Sequence, residues 1–221
     1  MPQELSTGLC ALITFGYFFA HIVYVIGYVL FVSKSHFSIF GPESLVPRWK
    51  DIKDMYHNLK WFFGDEPRPR FDRWTYWEKF DYWAVFWGVG VIGISGLILW
   101  FPEFFTKFFP GWVVNVAIII HSDEALLASA FIFTIHFFNT HLRPEKFPMD
   151  TVIFTGRISP EEMEYDRPVE YERLIEEGRM EELKVSPPSR WLSTAGILFG
   201  YFLLLIGLIL LFLILIGQFL Y

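Results

Sequence analysis

The chain has 221 residues, of which 53% are hydrophobic, 20% aromatic and 19% charged, with a formal net charge of -6. The hydrophobic share exceeds the roughly 45–50% of soluble domains. The single cysteine, Cys10, excludes a disulfide framework, a cysteine-ligated zinc or iron–sulfur site and covalent CxxCH attachment of haem. The acidic balance gives no support to nucleic-acid binding, so any redox centre has to be held by histidine.

In chain order, Leu9 to Val32 is an apolar run whose one ionisable residue is His21. Its length, and the absence of Lys or Arg before it, read as a retained helix over about 9–38 rather than a signal peptide. Residues 47–64 come next. Trp49, Ile52, Tyr56, Leu59 and Phe63 recur there at helical spacing, which predicts a short amphipathic helix at the membrane interface, ended by Gly64. A second apolar run, Phe80 to Phe101, has Asp81 at its edge and predicts a helix over about 79–101. A third, Trp112 to Phe138, contains His121, Asp123, Glu124 and His136 and predicts a helix over about 112–141. Residues 142–190 form a polar, acidic, proline-containing loop, too long for a mere connector. Within it Glu161 to Leu183 suits one or two short helices, and the loop reads either as a docking segment or as a solvated loop. The fourth run, Leu192 to Tyr221, has no acidic or basic side chain and predicts a helix over about 191–220, with Gly196 and Gly200 marking a packing face.

Each run meets the roughly 20 residues needed to cross a bilayer core. Lipid satisfies no backbone hydrogen bonds, so such spans must be helical. The expected fold is all-α: a single membrane domain over 1–221, built as a transmembrane four-helix bundle. Of the 18 Lys and Arg residues, 17 fall in segments 33–79 and 139–191, and Lys107 alone lies between the second and third spans. That asymmetry puts both long segments in the cytoplasm and both termini on the periplasmic side of a bacterial inner membrane. The first and third spans then run parallel.

His21 and His36 are 15 residues apart, and so are His121 and His136. On a regular helix this spacing rises about 22 Å with a net rotation of ~60°. Each pair stays near one face, and facing parallel helices would present His21 to His121 and His36 to His136. Two imidazoles at one level are what bis-histidine haem iron needs. The expectation is two haem b groups between the first and third spans, with a single haem as the lesser form. The plain alternative for each histidine is a hydrogen-bonded packing residue. If the first helix stops short of His36, then His57, His141 or a neighbouring subunit is left to supply the fourth ligand. Zinc is disfavoured because ligands spread along that length do not converge. Asp123 and Glu124 lie one turn from His121. Intramembrane carboxylates are costly and usually functional, which makes them candidate proton acceptors from a quinol on the periplasmic side, against the alternative of a structural pair hydrogen-bonded to a partner chain or to a neighbouring helix.

Arg73-Trp-Thr-Tyr-Trp-Glu-Lys-Phe-Asp-Tyr-Trp83, the run on to Gly-Leu-Ile-Leu-Trp100, a Phe/Pro-rich loop, and then Ile120-His121 and Ile135-His136 follow one another in order. Over about residues 48–142 this resembles the cytochrome b (gamma) subunit of membrane-bound formate dehydrogenases and the related cytochromes b of hydrogenases and multihaem-cytochrome complexes. The resemblance implies that His121 and His136 each bind one of two haems and that His21 partners the periplasmic-side haem. In the family a further first helix carries the fourth ligand; here the 15-residue spacing offers His36 instead. The resemblance also implies a quinone site at the segment Trp74 to Lys79, with Glu78 and Lys79 as contacts or proton carriers. The alternative there is an interfacial anchor. The implied function is electron transfer across the membrane between quinone and a redox partner, a multihaem cytochrome c or an iron–sulfur protein. The rivals are a membrane anchor for such a partner without quinone chemistry of its own, and a haem-free transporter subunit.

Overall fold

Apolar runs without internal proline leave a backbone one economical way to pair its own N–H and C=O groups, and in a computed structural model all of them coil. The structure describes residues 2–32 and 38–220. Helix α1 spans Pro2–Gly27 and continues through a π turn, Tyr28–Val32. Helix α2 spans Trp49–Phe62 and α3 spans Tyr76–Trp100. Helix α4 spans Trp112–Phe131 and runs on through π turns Ile132–His136 and Phe138–Leu142. Two short helices, α5 (Pro160–Asp166) and α6 (Pro168–Glu176), precede α7, Arg190–Leu220. Among the described residues there is no strand. Four stretches, Ser6–Phe31, Tyr76–Trp100, Trp112–Leu142 and Arg190–Gly217, are long and apolar enough to cross a membrane, as in a multi-pass membrane protein. The first helix was expected to reach residue 38. It is described to Val32, and residues 33–37, His36 among them, lie outside the described residues.

Contacts gather in two units, Met1–Ala125 and Leu126–Tyr221, with the boundary inside α4. In the first, α3 is the centre. Residue order shows that α1 runs antiparallel to it. A Cβ on Gly8 would lie 3.3 Å from Trp100, the Phe15 ring occupies the space beside Gly93, Phe18 meets Phe86 edge-on, and His21 reaches Tyr82. Helix α4 is antiparallel to α3 as well: His121 lies at Ile92 and Ser95, and Glu124 at Trp87. Both neighbours of α3 therefore run in one direction, as expected for the first and third spans.

The start of α3 is fixed by a capping box. The Thr75 hydroxyl accepts from the Glu78 amide at 3.3 Å, and the Glu78 carboxylate accepts from the Thr75 amide at 2.8 Å. Around it sits a polar–aromatic cap. Trp74 and Trp83 donate to the carbonyls of Glu43 and Leu45, each at 3.0 Å, and buried Phe71 packs on Trp77. Helix α2 leans on this cap by one buried contact, Asp51 to Lys79. The apolar stripe Trp49, Ile52, Tyr56, Leu59 and Phe63 stays exposed, as an interfacial helix requires. Gly64 ends α2 at φ +83°, where its amide reaches the Trp61 carbonyl and that of Asp65 reaches Lys60.

In the second unit, α7 carries a row of notches. The Phe154 ring lies against Gly196, Met149 against Gly200, and the Phe137 ring against Gly207. The Gly196/Gly200 pair is thus a packing face, used by the loop that precedes the helix. Ser159 caps α5 by accepting from the Glu162 amide. Lys146 gathers Asp150 at 3.3 Å, Asp166 at 3.0 Å and Glu162. Burial works against its charge, but the hydrogen bonds to Glu162 and Asp166 and the nearby Asp150 charge outweigh it. The net result lifts its pKa above the ordinary 10.5. Three short helices, counting the single turn Met180–Leu183, fill the region where one or two were expected.

Candidate functional site

The chemistry-bearing residues of the first unit line α3. His121 projects from α4 onto it. Its Nδ1 lies 3.1 Å from the Ile92 carbonyl oxygen and 3.0 Å from Ser95 Oγ. A carbonyl only accepts, so Nδ1 carries the proton. Ser95 commits its own hydrogen to the Val91 carbonyl at 2.7 Å and can accept from the ring. The neutral imidazole then presents its lone pair at Nε2. A metal-ligating histidine is held in the same way, its other ring nitrogen donating to a backbone carbonyl that fixes the tautomer and the ring's orientation. Gly96 makes it possible: a Cβ there would lie 3.1 Å from His121 Cε1.

His21 sits elsewhere. Its Nε2 is 3.1 Å from the Tyr82 hydroxyl, and its ring lies against Phe86. Tyr82 and Phe86 are roughly 10–20 Å along α3 from Ile92 and Ser95, at 1.5 Å per residue. At the level of His121, α1 offers Phe15 beside Gly93. His21 and His121 are therefore both placed against α3 but not brought together. For haem, the fit is half made: His121 has the tautomer and the backing of a ligand, and its expected partner stands at another level with Nε2 on a phenol.

Glu124 accepts from the Trp87 indole at 3.3 Å, and its other oxygen is 3.8 Å from where a Cβ on Gly88 would sit. Gly88 is the central residue of α3, so this carboxyl lies near mid-span. Asp123, its neighbour, is exposed. Of the two carboxyls, Glu124 makes the neighbouring-helix hydrogen bond that the structural alternative expects.

Glu78 and Lys79 have other employment. Glu78 closes the capping box described above. The Lys79 ammonium is 2.9 Å from both Asp51 carboxylate oxygens, with the residue only 1% exposed. The lysine is not a hydrated anchor; it ties α2 to α3. A Thr-x-x-Glu pattern at 75–78 was the sequence signal for the cap. Asp51 had no comparable signal, because its partner lies 28 residues away.

In the second unit His136 lies in a π turn and is exposed, with Thr140 Oγ1 3.5 Å from its Nε2. A π turn closes i→i+5 and advances less per residue than an α turn. The constant helical phase assumed for a 15-residue spacing therefore does not hold through 132–142. His141 is buried. Its Nδ1 donates to the Pro148 carbonyl at 2.8 Å, and its ring packs on Phe137. His57 pairs with Glu66 at the end of α2. Among the described residues, no group of three or more His, Cys, Asp or Glu side chains converges on a point that could hold a metal ion. Comparison with protein-family models, with curated proteins and with solved structures finds no match for this chain.

Proposed function

We propose that this chain is a membrane-embedded electron-transfer subunit that holds b-type haem through histidine and passes electrons between quinone and a redox partner subunit. The observation that carries the reading is His121. It is a histidine inside a spanning helix with Nδ1 fixed by a backbone carbonyl and Nε2 left as the ligand atom. Haem, when bound, supplies the one-electron chemistry. The chain's own residues orient the imidazole through Ile92 and Ser95 and exclude water with apolar spans. His136 is the matching candidate in the second unit, and His36 and His21 are the remaining ligands to be assigned. Glu124, hydrogen-bonded to Trp87, is the candidate to take a proton from a quinol. The Lys/Arg-rich segments are assigned to the cytoplasm by the positive-inside bias.

A second reading is favoured by a specific observation. His21 and His121 are each hydrogen-bonded within the protein at separate levels of α3, which suits packing residues in a haem-free membrane anchor. A reduced-minus-oxidised spectrum with a pyridine haemochrome count separates the two. The cytochrome reading expects a b-type band, lost or halved in His121→Ala and kept in His57→Ala. Absence of the band leaves the anchor. Given the band, quinol-driven reduction should slow in Glu124→Gln at unchanged haem content.

A further inference from the structure

Asp123 is the one acidic side chain of α4 that turns outward. It is exposed and makes no hydrogen bond or ion pair among the described residues. Its depth is set by its neighbour, since Glu124 stands opposite the centre of α3. That is roughly 18 Å from either end of α3, beyond half the ~30 Å hydrocarbon thickness. The same outward face carries Asn115 and Ser122, seven residues apart, with Ile119 between them at 59% exposure. The Ser122 hydroxyl donates to the Ile119 carbonyl of its own helix at 2.9 Å. Lipid offers a carboxylate no donor, so an outward aspartate at this depth belongs against protein.

Charge decides which protein. The four spans contain Lys or Arg only at Lys79 and Arg190, each in the first turn of its helix, and Lys79 is already paired with Asp51. The mid-depth histidines of this unit, His21 and His121, are turned onto α3. A second copy of the chain would therefore bring another carboxylate to this face and no cation. We infer that the Asn115–Ser122–Asp123 face of α4 receives a membrane-spanning helix of a different subunit, one that carries a Lys or Arg at mid-depth. The inference does not depend on whether the chain binds haem.

The test uses the full chain, donor-labelled, in phosphatidylcholine vesicles with acceptor-labelled leucine-based spanning helices. One helix has a central Lys, one a central Leu and one a central Glu. Energy transfer should report association with the Lys helix about tenfold tighter than with the Leu helix, and none with the Glu helix. Asp123→Asn should bring the Lys helix down to the Leu level, while Asp123→Glu and Glu124→Gln keep the preference. Equal association of the Lys and Leu helices with the unaltered chain, which needs no variant, overturns the inference. So does transfer between two labelled copies of the chain that Asp123→Asn abolishes, since the occupant would then be a second copy.

Discussion

Lys79 illustrates how a residue type misleads until its surroundings are known. A lysine at the mouth of a spanning helix suggests an accessible charge, yet here the ammonium is buried and bound by both oxygens of one carboxylate. Buried ion pairs contribute little net stability against an apolar replacement, but removing one partner strands the other charge. Lys79→Met should lower stability by about 3 kcal/mol, read as a fall in thermal unfolding midpoint in detergent. Asp51→Leu combined with Lys79→Met should recover much of it. If the single variant unfolded like the parent, the pair would have no structural weight and Lys79 would return as a candidate contact. Glu78 is a similar case. Its carboxylate satisfies the first amide of α3, so its loss acts on the helix start rather than on a reaction.

Helix α2 is fastened by charge near both ends, and one apolar stripe along its length is left exposed. At its far end Lys60 and His57 both bind Glu66. The hydrogen bond from Lys60, then that from His57, holds the Glu66 carboxyl below its ordinary 4.5, and Glu66 in turn raises Lys60 above 10.5. A depressed carboxyl contributes its stability above its unfolded value and loses it as pH falls through the folded one. A raised lysine contributes below its unfolded value and loses it as pH rises through the folded one. This clamp should therefore hold from weakly acidic to alkaline pH and open at the acid end. Protection factors of the Gly64 and Asp65 amides, corrected for the pH dependence of intrinsic exchange, should fall on acidification below the ordinary carboxyl range, and Glu66→Gln should show low protection at all pH values. On α7 the constraint is steric. A Cβ on Gly200 would fall 2.8 Å from Met149 Cβ, an atom held by the backbone and unable to swing away. Gly200→Ala should cost about 1–3 kcal/mol and expose residues 143–190 to limited proteolysis. Gly217→Ala, with nothing within 4 Å, should do neither.

For the whole molecule, if all four apolar stretches cross a bilayer, the two long polar segments, 38–75 and 143–189, share one side of it by simple parity. Protease added to sealed vesicles should cut both segments or neither. Cleavage of one alone would mean that a span does not cross. The exposed stripe of α2 should also place Trp49 within reach of lipid-borne quenchers, whereas Trp77, packed on Phe71, should be less accessible.

The four apolar helices, the bounds of the last three within a few residues, and the amphipathic helix ended by Gly64 were legible in the sequence. Hydrophobic run length and helical periodicity are local quantities, and lipid leaves the backbone no alternative to the helix. The parallel direction of α1 and α4 followed from counting crossings. Side-chain partners were not legible. Whether His21 meets His121 depends on how far α1 slides along α3, and that is set by Phe15 seating beside Gly93 and His21 reaching Tyr82, contacts between residues more than 60 positions apart. The burial of Lys79, the separation of Asp123 from Glu124 and the turn of His141 onto the Pro148 carbonyl were likewise tertiary decisions. Spacing along one helix gives height and angle; only packing against another helix decides what stands opposite.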